Sequence, residues 1–447
     1  MTVWEIAGQV VLTSVMLFFL YFALTSVFEH EGRAFRRSGI FFIIIGLGNV
    51  FIYMLPDGIQ KTVFAVLSIS LVIFVLGILI SPKPRSSQVI KAKPRRIDER
   101  DVIFTRFEYH PGSERYEEYY LAHPERKTRD DTIRKLPDIL TSSHRNKSPE
   151  LFPLASAEFD FLEHQMTEVD GTVEEDRTTF TAEKNSKLIK RTLRYLGADV
   201  NGVCELDPSF LYSHVGRGPE KFGSEIGLNH KYAVVFALEM DYAWVAAAPK
   251  APVIVETAKK YVEAAKISII AADYIRRLGY PARAHIAGSN YQAVLPPLGW
   301  QAGLGEMGRM GILVTFKYGP RARLGLITTD LPLIPDRPKV RGIQDFCERC
   351  KKCAYNCPGK AIPAGPKIVE NGVEKWVLDR EACYEFWRRA GTDCATCLYV
   401  CPYSKPVNFF HDAVRFASAH SRSAQRIFIH GDDLFYGRSP RPRKNPS

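Results

Sequence analysis

Three long apolar runs open the chain, Ile6 to Phe28, Gly39 to Leu55 and Val63 to Ile80, and none contains a charged residue. At 1.5 Å per helical residue the third covers about 27 Å and the second about 25 Å, near the roughly 30 Å of bilayer hydrocarbon. The first is longer. The pattern predicts a membrane anchor of three helices over residues 1–81. A cleaved signal peptide accounts for one such run and not three, and no basic stretch precedes the first. Further along the period changes. Ala233 to Leu238 reads as a buried strand, and Ala258, Tyr261, Val262, Ala265, Ile269 and Ala272 recur at helical spacing between Ile254 and Leu278, before Gly279. Short strands are expected around Ala282 to Ala287, Ile312 to Thr315 and Leu324 to Thr328, so the body is expected to be a mixed α/β layer structure. Residues 97–148, dense in charge and tyrosine, read as a segment that wraps a body rather than forming its own core.

Charge adds an orientation. Arg33, Arg36 and Arg37 follow the first run and Lys83, Arg85, Lys91, Lys93, Arg95 and Arg96 follow the third, whereas only Lys61 follows the second. The positive-inside bias places the first and third of these loops, and the body after them, in the cytoplasm. Arg36-Arg37 before Ser38-Gly39-Ile40-Phe41 resembles a twin-arginine export signal, but such signals sit at a chain start and this pair follows a complete apolar span. Residues 82–96 read as a solvated basic linker near anionic headgroups. The formal net charge is +11; the linker carries six of these charges and Arg438, Arg441, Arg443 and Lys444 four, leaving +1 elsewhere. No basic footprint for nucleic acid is expected on the folded body.

Eight of nine cysteines fall between Cys347 and Cys401, the distribution of a metal site and not of a disulfide framework. Cys204 stands alone and reads as a small buried hydrophobe. Cys347-x2-Cys350-x2-Cys353-x3-Cys357-Pro358 has the bacterial ferredoxin spacing, and Cys383-x10-Cys394-x2-Cys397-x3-Cys401-Pro402 repeats it with its first ligand displaced. In two-cluster ferredoxins the last cysteine of each run serves the other cluster. One 4Fe-4S cluster is thus expected on Cys347, Cys350, Cys353 and Cys401 and the second on Cys383, Cys394, Cys397 and Cys357. Structural zinc favours isolated knuckles instead. Such a module moves single electrons and needs an acceptor. Gly303, Gly305 and Gly308 match the G-x-G-x-x-G string, but a dinucleotide site needs a strand before it and a helix after it, and here Pro296-Pro297 precedes and a strand-like run follows. These glycines read as a turn that lets backbone approach some large cofactor.

Arg115-Tyr-Glu-Glu-Tyr-Tyr with His123-Pro124-Glu125, Ala302 to Gly311, Tyr318-Gly-Pro-Arg-Ala-Arg323 with Thr329-Asp-Leu-Pro332, and the stretched second cysteine set resemble the corrinoid-dependent reductive dehalogenases. The likeness covers Ile97 to Pro406. It implies a nitroreductase-like α/β core over 97–340 that binds base-off cobalamin, a ferredoxin-like domain over 341–410 with two 4Fe-4S clusters, and a covering segment and basic tail over 411–447. By position, Tyr261 is similar to the family's proton donor, Arg323 to its basic partner and Asn290, in Gly288-Ser-Asn-Tyr, to its substrate-side polar residue. Each has a plainer reading: Tyr261 as a core aromatic on its helix stripe, Asn290 as a turn cap, and Arg321 in place of Arg323, since side chains two apart on a strand point the same way. A phenol is a poor acid at neutral pH, and a guanidinium beside one improves it while attracting a departing halide.

The implied activity is reductive removal of halide from an organohalide at the membrane, with electrons from a ferredoxin, flavoprotein or quinol. The front end departs from the family, whose respiratory members resemble exported proteins with a separate anchor; a detoxifying or carbon-acquiring role fits this chain better. Two other functions use the same modules. One is an epoxyqueuosine-reductase-like corrinoid enzyme, whose members are soluble and look to use a carboxylate as proton donor. The other is a membrane-bound iron–sulfur electron carrier.

Overall fold

The computed structural model describes residues 2–85, 89–141, 144, 148–287 and 290–443. The start of the glycine motif at Gly288 and Ser289, part of the basic linker at 86–88 and Lys444 of the tail therefore lie outside the described residues. The chain forms two compact units.

The first unit holds residues 1–85 and 406–440. Its helices Val3–Phe28, Gly32–Tyr53 and Asp57–Leu79 are long and apolar enough to cross a membrane. Thr2 and Glu5 close a capping box on the first. A side chain on Gly8 would sit 2.4 Å from the Phe64 ring, so glycine lets the first and third helices approach closely. Most of the C-terminal covering segment belongs to this unit, as helices Phe409–His420 and Arg422–Phe435. The rings of Phe22 and Phe410 stack with centroids 4.6 Å apart. Buried Glu29 accepts hydrogen bonds from Asn408 and His411. Residues 441–443 belong to the other unit, where the Arg443 amide donates to the Ala246 carbonyl.

The second unit is built on a four-stranded antiparallel sheet in the order Val200–Glu205, Tyr232–Glu239, Ala322–Thr329, Ala282–His285. Alternation divides the Tyr232 strand. Val234, Phe236 and Leu238 join Ala264, Ile267, Ala271 and Ile275 of the long helix Pro252–Arg277, while Ala233 and Val235 pack with Leu295, Leu298 and Leu313 on the opposite face. The helix starts on a proline and stops before Gly279, at φ 83°. Its expected span is present, as are all four expected strands, three in this sheet and Leu313–Thr315 in a separate hairpin. The sheet's remaining strand, Val200–Glu205, carries Asn201 and Gly202 and so lacks a strand-like apolar pattern. Gly202 is needed because a side chain there would lie 2.2 Å from the Ala302 carbonyl.

The charged, tyrosine-rich segment forms short helices whose charges pair with phenols. The hydroxyl of Tyr116 donates to Asp131, that of Tyr119 to Asp101 and that of Tyr120 to Asp130. Arg106, fully buried, bridges Asp130 and Glu381 and ties this segment to the cysteine-bearing helix Arg380–Ala390. The basic linker is not wholly solvated, as its composition led us to expect. Val89–Ile90 pairs with the hairpin Ile368–Glu370 and Val373–Lys375, and the Arg96 guanidinium donates to the carbonyls of Tyr212 and Ile226. Cys204 lies in the core, where burial pushes its thiol up to about 12.

Phe236 stands directly opposite Gly325 on the two central strands, and a methyl on that glycine would lie 2.1 Å from the ring. Gly325→Ala should therefore cost about 1–3 kcal/mol by overpacking. A lowered denaturation midpoint, partly restored by adding Phe236→Leu, is the expected outcome in chemical unfolding of the full chain.

Candidate functional site

Two helices, Ile343–Cys350 and Lys352–Asn356, carry the first three cysteines, and Thr396–Tyr399 with its flanks carries Cys394, Cys397 and Cys401. Left-handed turns at Lys351 and at Cys394-Ala395 swing successive thiols inward. Burial pushes the thiols of Cys397 and Cys401 well up, and neighbouring thiols push them further. The neighbours differ. The thiols that act on Cys401 are those of Cys347, Cys350 and Cys353, whereas those that act on Cys397 are Cys394, Cys353, Cys383 and Cys357. Cys383 in turn is acted on by Cys394 and Cys357. Among the described residues no three His, Cys, Asp or Glu side chains converge as ligands of a single ion would; thiolates at the corners of a four-iron cube do not meet at a point either. Protonated thiols crowded in a buried shell are relieved when a metal displaces their protons.

Beside this shell lies a cavity of about 510 Å³, of ordinary ligand-binding size. Its walls are flat faces: Phe210, Trp300, Tyr384 and Trp387, with Pro296 and Pro297. Cys383 of the second cysteine set lines it, as do Gly308 and Gly311. Two buried polar atoms of its wall residues have no hydrogen-bond partner, the Trp376 indole Nε1 (residue 4% exposed) and the Ser209 hydroxyl (7%). Such atoms cost free energy unless a bound group or water satisfies them.

The three glycines of the G-x-G-x-x-G string divide. They lie on a hairpin, Gly305–Met307 paired with Leu313–Thr315. Gly303 makes room for the Arg337 carbonyl and Gly305 for that of Val314, so these two serve packing within the chain. Gly308 is held close to Val314 and also lines the cavity.

Of the proposed catalytic residues, the structure brings Tyr261 and Arg323 together, neither of them among the residues lining the cavity, and engages Asn290 with other partners. The Arg323 guanidinium lies 5.2 Å from the Tyr261 ring centroid and is held by the Thr257 hydroxyl at 2.7 Å and the Asp393 carboxylate at 3.1 Å. Burial pushes the Asp393 carboxyl up to about 6 although Arg323 and Thr257 pull it down. Arg321, by contrast, is buried as a staple, donating to the carbonyls of Ser404 and Met240 and pairing with Glu239 at 2.7 Å. Asn290 is committed at both ends: its oxygen accepts from Arg283 at 2.6 Å and its nitrogen donates to the Met166 carbonyl at 2.8 Å. The next residue, Tyr291, is buried within the electrostatic reach of the pair. Burial pushes its phenol up, Tyr261 adds to this and Arg323 opposes it, and Tyr212 in the cavity wall acts on it too. Sequence reasoning missed Tyr291, Thr257 and Asp393; the adjacency of Asp393 to Cys394 was the available signal.

Comparison with known proteins now adds family information. Residues 346–405 match the model of a 4Fe-4S dicluster domain. The tetrachloroethene reductive dehalogenase of Dehalobacter restrictus is 34% identical over 283 residues, which are 53% of this chain and 51% of that one. That of Sulfurospirillum multivorans is 29% identical over 284 residues, 56% of each. The chain spans about half the length of these curated relatives. Among solved structures, the catabolic reductive dehalogenase NpRdhA in complex with 3-bromo-4-hydroxybenzoic acid aligns over 80% of this chain and 49% of its own, with a TM-score of 0.65 and 26% identity. A reductive dehalogenase structure that suggests a mechanism for B12-dependent dehalogenation aligns equally well.

The thiol neighbourhoods give a test of crossed ligation. Reconstituted protein should hold about eight iron per chain, and Cys357→Ala combined with Cys383→Ala should lose no more than either alone, about four. Cys401→Ala with Cys383→Ala should lose nearly all, as iron analysis would show.

Proposed function

We propose that this chain is a membrane-anchored reductive dehalogenase that removes halide from an organohalide, with cobalamin in the cavity and electrons delivered through two 4Fe-4S clusters. The observation that carries this reading is the position of Cys383, a cluster thiol that lines a flat-walled cavity whose buried indole and hydroxyl are left without partners. A corrin is a flat, largely apolar ring rimmed by amides, and those rims suit Trp376 Nε1 and Ser209 Oγ. A nitroreductase-like core is the proposed parent of the sheet and long helix. Bound there, cobalamin supplies a strongly reducing metal centre for breaking carbon–halogen bonds.

The protein's own groups supply the rest. Iron–sulfur potentials reach far below zero, so the two thiol sets give electrons a low-potential route to the cavity wall. Tyr261 holds the proton that carbon takes as halide leaves. Arg323 presents positive charge to the Tyr261 ring, which stabilises the phenolate left behind, and Thr257 and Asp393 fix its orientation. Of the two arginines left open by spacing, the geometry supports Arg323. Asn290 contributes by fixing Arg283 and the loop that carries Tyr291.

Tyr261→Phe keeps the ring and removes the acid, and should lower turnover by about 10² to 10⁴ while cobalt and iron contents stay unchanged. Adding Arg323→Leu should make it little worse than the slower single variant, because groups acting as a unit are not additive. Halide release from a brominated or chlorinated phenol or ethene, under a low-potential dye, measures both. Wild-type protein that takes up about eight iron but no cobalt when offered cobalamin would instead be an electron carrier.

We also propose that the catalytic unit faces the cytoplasm. Arg33, Arg36 and Arg37 at the start of the second helix and the basic linker after the third bracket an even number of crossings. A reporter fused after Ser447 should be active only in the cytoplasm, and periplasmic activity would overturn this orientation.

A further inference from the structure

Arg309 occupies the turn of the glycine hairpin and is one of the largest fully buried side chains, 1% exposed. Its bonds all end on main-chain carbonyls. Nε donates to Cys347 at 3.0 Å, Nη1 to Pro363 and Gly365 at 2.8 Å each, and Nη2 to Glu348 at 3.3 Å. One face of the guanidinium lies 4.5 Å from the Trp376 ring centroid. Carbonyls solvate the cation but do not neutralise it, and a buried charge without a partner is costly. Arg309 is bonded to the main chain of Cys347, the first ligand of the first cysteine set, and of the next residue, Glu348. Lys367 stands on the same Trp376 ring at 4.7 Å.

We infer that Arg309 is the built-in counter-charge of the first 4Fe-4S cluster, placed by the core hairpin to raise that cluster's reduction potential above the value its thiolates alone would set. Reduction adds one electron to a cluster that four thiolates already make negative. A fixed cation in a dry site stabilises the reduced form more than the oxidised form, and net charge and hydrogen bonding around the sulfurs are recognised levers on such potentials. At the second set the cation is Arg323, which differs in being paired with a carboxylate, Asp393, at 3.1 Å, while Asp379 next to the Cys383 helix is engaged by Arg129. The inference rests on the dicluster module and not on the dehalogenation reading.

The test is a redox titration of the reconstituted full-length protein, followed by electron paramagnetic resonance. The first cluster's signal is identified as the one missing in Cys350→Ala. In Arg309→Gln with full iron content, the reduced-to-oxidised ratio of that cluster at a fixed ambient potential should fall about tenfold or more, equivalent to 59 mV for one electron. The second cluster should stay put. Arg309→Lys, which keeps the charge and loses the fork of donors, should retain most of the wild-type potential. An unmoved potential in Arg309→Gln, an equal fall in both variants, or loss of the first cluster from both would overturn the inference and make Arg309 a packing residue. Absence of iron from the wild-type protein would instead remove the dicluster reading, a failure distinguishable from the others before any titration.

Discussion

Eight thiols drawn together, five of them on buried residues and three half-buried, impose the dominant constraint on the larger unit. Loaded with iron they carry concentrated negative charge in a medium that screens poorly, and the surrounding residues answer it. Arg309 reaches in from the core hairpin, and Arg323, beside Asp393, stands near Cys397. Further out, Arg106 and Arg129 fasten the tyrosine-rich segment to the N-terminal end of the Cys383 helix, at Glu381 and Asp379. Cations thus join pieces of chain that sequence distance keeps far apart.

The sheet supplies positions and the loops supply chemistry. Two central strands, locked in register by a phenyl ring over a glycine, deliver Arg323 to one end of the long helix, where Tyr261 and Thr257 stand one turn apart. The short hairpin after the Leu295–Gln301 helix works in two directions. Its Gly308 and Gly311 line the cavity, while Arg309 between them turns toward the cysteines. One tight turn therefore sets the spacing between an apolar chamber and an electron-carrying shell.

What could be read from the chain and what could not divides along physical lines. Apolar period exposed the three long N-terminal helices, the long helix around Tyr261 and the strands of pure hydrocarbon. Cysteine spacing exposed the dicluster domain, which residues 346–405 match. The Val200 strand stayed hidden because Gly202 is there for close approach to Ala302, and the linker strand at Val89 because two residues show no period. Site residues were harder. Tyr261 and Arg323 were reached through family likeness, whereas Tyr291, Thr257 and Asp393 come from three distant segments whose meeting no local pattern encodes. Gly303 and Gly305 show the converse: a cofactor-like string whose first two glycines answer to backbone crowding inside the protein.

The embedding of Arg309 bears on how freely such modules can be exchanged. Residues 346–405 match a dicluster domain found by its own family model, which invites treating them as a portable cassette. Yet the carbonyls of Cys347, Glu348, Pro363 and Gly365 accept from a side chain that belongs to the hairpin before it. Transplanted alone, the cassette would leave four acceptors bare and lose a cation beside its first cysteines. Grafting or recombination between related chains should respect a boundary drawn before Gly303, so that hairpin and cysteines travel together as one inherited piece.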